Sequence, residues 1–266
     1  MQRVNTINRV VYSNCLKREG IQMSHFNTYG RMAAAGVDNI IQNGRYYAQA
    51  EAEKRMPADV INKLRPRKTD SFLDVGCGLG VNLLECLKYT PDCSACDHEN
   101  ILNKLKEQSK FSDVNFYPGD FLSINFDRKF SKILIYGVVP ALPNKEVLLS
   151  FIEKGVSLLE PDGMMLIGDF SNVDKKKRFM ESKRGLKFQK EWEEKQAQSD
   201  EHNPTKKFIK EGDEKAVVIT DDIVLEILKL YRAKGFGTYL LNQPQDLPFG
   251  NTREDILIVG PEYEDE

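Results

Sequence analysis

Residues 71–80, Ser-Phe-Leu-Asp-Val-Gly-Cys-Gly-Leu-Gly, constrain the fold more than any other stretch of the chain. A short apolar run (Phe72, Leu73, Val75) passes into three glycines at alternate positions, Gly76, Gly78 and Gly80. Val81, Leu83, Leu84 and Leu87 follow at helical spacing. A strand that ends in a glycine bend and opens a helix lets backbone approach a nucleotide-like ligand, because no side chains stand in the way. Dinucleotide sites use Gly-x-Gly-x-x-Gly. Here the spacing is Gly-x-Gly-x-Gly, and the third fingerprint position is Val81, whose branched side chain hinders the close helix–strand contact of a pyrophosphate site. No Gly-Lys-Ser/Thr follows, so the P-loop pattern fails too. Asp97 stands 21 residues after Gly76, behind Ser94-Ala95-Cys96 at a plausible second strand end. A carboxylate there can hold both hydroxyls of a ribose.

Beyond the bend the chain alternates. The pattern predicts strand 71–75, helix 79–89, strand 93–96, helix 98–109, strands 113–117 and 131–136, helix 144–159 and strand 163–169. Such alternation implies parallel βαβ units with helices on both faces. Residues 1–30 are polar and weakly patterned, and 31–64 carry small and apolar residues at helical spacing up to Pro66, which predicts two helices. The expected division is therefore a helical cap over 1–66 and the sheet domain over 67–266. Residues 171–215 break the rhythm, being rich in Lys, Glu, Asp and Gln with few apolar anchors (Phe179, Phe188, Trp192, Phe208). They read either as a solvated helix with a loop or as a lid, since they follow the fifth strand on the side where ligands of such sheets bind. Asp221 or Asp222 is placed to cap a helix reaching Lys234, closed by Gly235 and Gly237. Strands 238–243 and 255–260 finish the chain.

Five segments, in order, resemble the motifs of class I S-adenosylmethionine-dependent methyltransferases: Phe72–Gly80, Asp97, Gly119-Asp120-Phe121, Lys132-Ile-Leu-Ile-Tyr136 and Leu158-Leu-Glu-Pro-Asp-Gly163. The resemblance spans about residues 70–260. It implies an α/β fold, a Rossmann-like seven-stranded doubly wound sheet of order 3-2-1-4-5-7-6 with strand 7 antiparallel, and S-adenosyl-L-methionine as the methyl donor. In that frame Gly76, Gly78 and Gly80 meet the methionine and ribose portions. Asp74 faces the cationic end or only organises the loop. Asp97 binds the ribose hydroxyls or is only a helix N-cap, and His98 lies near the adenine. Asp120 accepts from the adenine amino group or merely forms a Gly-Asp turn, with Phe121 beside the ring. Tyr136 and Gly137 touch donor and acceptor, unless Tyr136 is core.

The acceptor side is weakly marked. His25 is a candidate base, because N-terminal segments cap the acceptor pocket in the resembled family. Asp169, ending strand five, is a candidate base or substrate ligand, and Tyr136 a further catalytic candidate; His202 is expected to face solvent. Gly168-Asp-Phe-Ser-Asn-Val-Asp-Lys-Lys-Lys-Arg-Phe179 and Leu247–Ile258 are similar to segments of methyltransferases of bacterial surface-polysaccharide biosynthesis. That implies a sugar, nucleotide-linked sugar or related metabolite as acceptor. Lys175, Lys176, Lys177 and Arg178 then meet a phosphate or simply open a solvated helix. Cys93-x-x-Cys96 with His98 does not read as a metal site, since residues three apart in a strand point to opposite faces and no second pair follows.

Composition narrows the alternatives. A chain of 266 residues with 41% hydrophobic residues can bury one large α/β core. A net charge of −2 provides no basic field for nucleic acid. After strand four the sequence is Tyr136-Gly-Val-Val-Pro-Ala, without the Asn/Asp-Pro-Pro-Tyr/Phe loop of adenine-flipping enzymes. A non-catalytic donor-binding or nicotinamide-binding module is the remaining competitor, and Val81 opposes the nicotinamide form. Five cysteines and no secretion-type leader predict a reducing, cytoplasmic location, and no apolar run reaches membrane-span length. The expected partner is a small-molecule acceptor, with no nucleic acid, membrane or metal; a homodimer is compatible with all of this.

Overall fold

The computed structural model describes residues 25–197, 208–210 and 216–264. Its sheet has seven strands: β1 Ser71–Val75, β2 Asp92–Asp97, β3 Asn115–Pro118, β4 Phe130–Tyr136, β5 Leu159–Phe170, β6 Gly237–Asn242 and β7 Glu254–Val259. Their order is β3-β2-β1-β4-β5-β7-β6. The β1, β2, β3, β4 and β5 neighbours pair in parallel, and β7 runs antiparallel to both β5 and β6. This is the architecture and strand order expected from the sequence.

Both faces of the sheet are covered, so its central strands read as continuous apolar runs. Side chains alternate. Leu73 and Val75 of β1 and Ile133 and Ile135 of β4 join the core beneath α7 (Lys145–Ser157) and α10 (Asp221–Ala233), where Phe151 and Tyr231 are fully or almost fully buried. Phe72 and Leu134 point the other way, onto α4 (Met56–Leu64), α5 (Val81–Cys86) and α6 (Glu99–Lys106), through Val60, Leu64, Leu83 and Leu105. Each such side chain contributes roughly 1.5–3 kcal/mol of burial. Asp74 shares the Phe72 face by its period in the strand, which places a carboxylate on the cap side of the sheet.

The cap is more divided than its periodicity suggests. Where two helices were expected, the described residues form α1 (Phe26–Ala34), α2 (Asn39–Gln42), α3 (Ala50–Glu53) and α4. Gly36 and Gly44, both at φ +68°, terminate α1 and α2. Asp38 restarts the chain by accepting from Ile40 N at 2.9 Å and Ile41 N at 3.2 Å. Arg65, at φ +47°, ends α4 before Pro66.

The insertion after β5 begins with α8 (Val173–Met180) and α9 (Lys183–Ala197). Trp192 of α9 stacks parallel to Phe188 at 6.4 Å and meets Tyr46 of the cap edge-on at 5.6 Å. Arg31 of α1 donates to Phe208 O at 2.9 Å, so the insertion touches the cap at both ends of its described part. His202 lies outside the described residues. The N-cap of α10 is Thr220, whose hydroxyl accepts from Ile223 N at 3.5 Å, in place of the expected Asp221 or Asp222. Both aspartates fall in the first turn, where negative charge is favoured, and Asp221 takes an ion pair from Arg178.

Candidate active site

A cavity of about 250 Å³ opens at the carboxyl ends of β2, β1, β4 and β5, under the cap. Asp97, Gly76, Tyr136-Gly137 and Asp169 line it in that order across the sheet. Three strand spacings of about 4.8 Å separate the outer two, so the lining extends over roughly 14 Å. Ligands of open α/β sheets bind at this edge, where strand order reverses between β1 and β4.

The glycine bend forms because its backbone leaves no room for anything else. Gly76 adopts φ +72°, and a Cβ there would overlap Val138 Cγ2. Gly80, at φ +76°, is the N-cap of α5, and a Cβ on it would stand 2.7 Å from Phe111 Cζ. Gly80 therefore answers to the core and is absent from the cavity wall, whereas Gly76 and Gly78 line it.

Asp97 ends β2 with both oxygens engaged once: Oδ2 accepts from Gly78 N at 2.8 Å and Oδ1 from His98 N at 2.6 Å. An ionised carboxylate accepts at about four positions, which leaves one on each oxygen, the pattern a vicinal diol requires. Burial lifts its pKa to about 6 against the pull of those two N–H groups. Asp74 is 2% exposed, and its Oδ2 has no partner among the described residues. Burial, then the charge of Asp97, raises its pKa to about 8. A buried orphan carboxylate is costly unless a cationic ligand completes it.

The orphan is not isolated. Among the described residues five buried side-chain atoms have no hydrogen-bond partner, and four of them belong to cavity-lining residues: Gln42 Oε1, Arg45 Nε, Asp74 Oδ2 and Asn82 Oδ1. Their concentration in one wall marks it as a wall completed by a ligand. Asn43, whose Oδ1 sits 3.1 Å from where a Gly78 Cβ would stand, donates Nδ2 to Glu53 at 2.8 Å. Burial raises the Glu53 carboxyl. The residues present thus fit an adenosyl nucleoside with a cationic side arm: Asp97 for the ribose, Asp74 and Glu53 for the cationic centre.

The far end is built on β5. Asp169 sits at φ +68°, beside a register shift in the β5–β7 pairing that turns it out of the ladder. Aspartate is among the few residues that tolerate this region. It is held there from three sides. Asp169 N donates to Asp255 Oδ1 at 2.9 Å, its carbonyl accepts from Arg253 Nη1 at 3.0 Å, and Oδ2 pairs with Arg45 Nη2 at 3.1 Å. Asp255, fully buried, pairs with Lys63 at 2.6 Å and accepts from Gln243 Nε2 at 2.8 Å. The same Gln243 nitrogen donates to Tyr136 OH at 3.1 Å. Burial, then the Asp169 charge, pushes the Tyr136 hydroxyl well above its ordinary range, so it stays protonated.

Of the residues expected from the sequence, Asp74, Gly76, Gly78, Asp97, Tyr136, Gly137 and Asp169 meet in this cavity. The others do not line it. His25 stands at the start of α1. His98 is the N-cap of α6, its Nδ1 accepting from Asn100 N at 3.1 Å and its ring lying against Phe26 at 5.1 Å. Asp120 accepts from Leu122 N at 2.9 Å. Phe121 is buried in the core, 4.7 Å from Phe151, where an adenine contact was expected. Phe26 and Ile101 line the Asp97 end instead. Lys175 is committed to Arg253 O at 2.8 Å and to Glu254, and Arg178 to Asp221, so neither points at a phosphate. Cys93 and Cys96 are buried thiols, raised by that burial. Arg45, Glu53, Phe249 and Arg253 were not singled out in the sequence. Asn43-Gly44, a turn dipeptide inside an otherwise helical cap, was the local sign that backbone there bends over something.

No protein-family model matches the sequence. The malonyl-[acyl-carrier protein] O-methyltransferase of Haemophilus ducreyi is 24% identical over 139 residues, 48% of this chain and 53% of that protein. The chain thus matches about half the length of that curated relative. Solved structures agree over much more of it. The N-methyltransferase NodS from Bradyrhizobium japonicum WM9, in complex with S-adenosyl-L-homocysteine, has a TM-score of 0.57 at 11% identity, covering 90% of this chain and all (100%) of its own. The plantazolicin methyltransferase BpumL, in complex with a triazolic desmethylPZN analog and S-adenosylhomocysteine, has a TM-score of 0.54 at 14% identity over 90% and 97%. Magnesium protoporphyrin IX methyltransferase from Synechocystis PCC 6803 scores 0.50 at 13% identity over 88% and 93%. At these identities the likeness is one of fold: the chain has the seven-stranded fold of the S-adenosylmethionine-dependent methyltransferases.

Proposed function

We propose that this chain transfers a methyl group from S-adenosyl-L-methionine to a small-molecule acceptor. The observation that carries the reading is Asp97: at the end of β2 it keeps one free acceptor position on each oxygen, in the same wall as the orphaned Asp74 carboxylate and the Gly76 bend. The bound donor supplies a methyl carbon on a sulfonium that is open to in-line displacement. The protein's share is alignment, worth roughly 7–11 kcal/mol when donor and acceptor are held in contact. Asp97 holds the ribose. Asp74, ionised on binding, faces the positive end. Tyr136 and Gly137 form the floor between donor and acceptor. Asp169, paired with Arg45, is a fixed counter-ion and ligand anchor.

We extend the reading to the insertion, which acts as a lid over the acceptor end; the Trp192–Tyr46 contact, next to Gly44 and Arg45 of the wall, supports this. The sugar or nucleotide-linked sugar acceptor rests on the likeness of Gly168–Phe179 and Leu247–Ile258, and the commitment of Lys175 and Arg178 to protein partners favours acceptors without a phosphate at that point. The buried reduced thiols suit a cytoplasmic setting, and among the described residues no helix is long and apolar enough to cross a membrane.

Calorimetry against S-adenosylhomocysteine and NAD tests the reading directly. Binding of the sulfur nucleoside but not NAD, with transfer of labelled methyl to a low-mass product in a metabolite extract, is the expected result. NAD binding in its place refutes it.

A further inference from the structure

Two guanidinium groups converge on one aromatic ring at the β5 end of the cavity. Arg45 Cζ lies 5.2 Å and Arg253 Cζ 4.8 Å from the centroid of Phe249. Only one carboxylate is shared between them: Asp169, with Oδ2 3.1 Å from Arg45 Nη2 and Oδ1 3.8 Å from Arg253 Nε. Like charges gather in a largely buried wall only with counter-charge nearby; besides Asp169 the acids near this end are Glu53 and Asp255, the latter tied to Lys63. Glu53, the other acid near Arg45, bonds to Asn43 on the glycine-bend side. Arg45 is 8% exposed and commits only Nη2, to Asp169 and Met56 Sδ; its Nε is among the orphaned atoms of the wall. Arg253 gives Nη1 to the Asp169 carbonyl. Donors therefore remain on both forks, and both residues line the cavity together with Phe249 and Tyr136.

Resting on the methyltransferase reading above, we propose that Arg45, Arg253 and Phe249 form a seat for a carboxylate carried by the acceptor. The planar forks suit the two oxygens of a carboxylate. The apolar ring beneath the guanidiniums leaves room for the carbon skeleton that bears the carboxylate. A sugar acid fits this description, and a neutral sugar does not. The same chemistry could come from the donor's own α-carboxylate, and the two sources separate experimentally.

The full chain, saturated with S-adenosylhomocysteine, is titrated with phenylacetate, phenylacetamide and phenyl phosphate. The expected result is that phenylacetate binds at least tenfold tighter than the other two. Arg253→Gln erases that preference and leaves S-adenosylhomocysteine affinity within twofold; Arg253→Lys, keeping charge without the fork, restores part of it. Absence of saturable phenylacetate binding, a preference that survives Arg253→Gln, or equal binding of phenyl phosphate overturns the proposal. If Arg253→Gln instead weakens S-adenosylhomocysteine tenfold but not 5′-methylthioadenosine, which lacks the carboxylate, the seat belongs to the donor and the acceptor assignment is wrong. If wild type binds no S-adenosylhomocysteine at all, the methyltransferase reading fails, and the carboxylate preference is then judged on the ligand-free chain.

Discussion

The orphaned Asp74 carboxyl should make donor affinity depend on pH in a way that no exposed aspartate would. Burial, helped by the nearby Asp97 charge, holds its pKa at about 8 in the free protein. Below that pH the group is a neutral acid. A ligand ammonium requires the carboxylate, so binding releases a proton. Linkage then makes the affinity of S-adenosylhomocysteine rise tenfold per pH unit, 1.36 kcal/mol each, until the free-protein pKa is reached. Between pH 6 and the plateau above 8 the gain is about 100-fold. Below about pH 6 the Asp97 carboxyl begins to protonate as well, and the slope steepens toward two. Calorimetry at pH 7 in two buffers of different ionisation enthalpy should show release of nearly one proton. Asp74→Asn flattens the segment between 6 and 8 but keeps the break near 6, and 5′-methylthioadenosine, without the ammonium, shows no Asp74 dependence. The sign for stability is opposite. Over about pH 4 to 8 folded Asp74 keeps a proton that the unfolded chain has lost, so its contribution to the ligand-free protein declines as pH rises through that window. Flat affinity between pH 6 and 8, or equal proton release by wild type and Asp74→Asn, refutes the reasoning.

Other perturbations test separate parts of the site. Asp97→Ala removes a charged acceptor from two ribose hydroxyls and from Gly78 N; at about 1.5–3 kcal/mol per charged hydrogen bond donor affinity falls more than tenfold, and unchanged affinity by calorimetry excludes its assigned role. Gly76→Ala forces a side chain into φ +72° and onto Val138 Cγ2, costing about 1–2 kcal/mol for the backbone plus about 1–3 for the clash; denaturant unfolding should show Val138→Ala recovering only the second part. Lys63→Met leaves the fully buried Asp255 without its cation and should destabilise by about 3–5 kcal/mol, most of it recovered when Asp255→Asn is added. Replacing residues 181–215 with a short Gly-Ser linker keeps α8, whose Lys175 supports Arg253 O; donor binding should persist while labelled-methyl turnover is lost, and full turnover excludes a lid.

The Gly76–Asp97 half of this cavity was legible in the sequence because it is made of local things. A strand, a glycine bend and a helix occupy residues adjacent in the chain, and Asp97 follows at the distance one βαβ turn dictates. Backbone conformation does the work there, and glycine spacing reports backbone conformation. Asp120 and Phe121 show where this stops. A Gly-Asp-Phe turn looks the same whether its ring faces a ligand or Phe151, and only the packing of α7 against the sheet decides between them. The β5 half is assembled across long separations: Arg45 meets Asp169 at 124 positions' distance, and Lys63 meets Asp255 at 192. No periodicity links such partners. The division has a chemical basis. The parallel sheet edge builds the glycine-bend wall from contiguous sequence. The rest of the cavity, bounded by a cap, a strand end and a β6–β7 linker, can be altered piece by piece without disturbing β1 or its bend. That freedom is why the acceptor must be read from charges brought together in space, Arg45 and Arg253 around Phe249, and not from any motif.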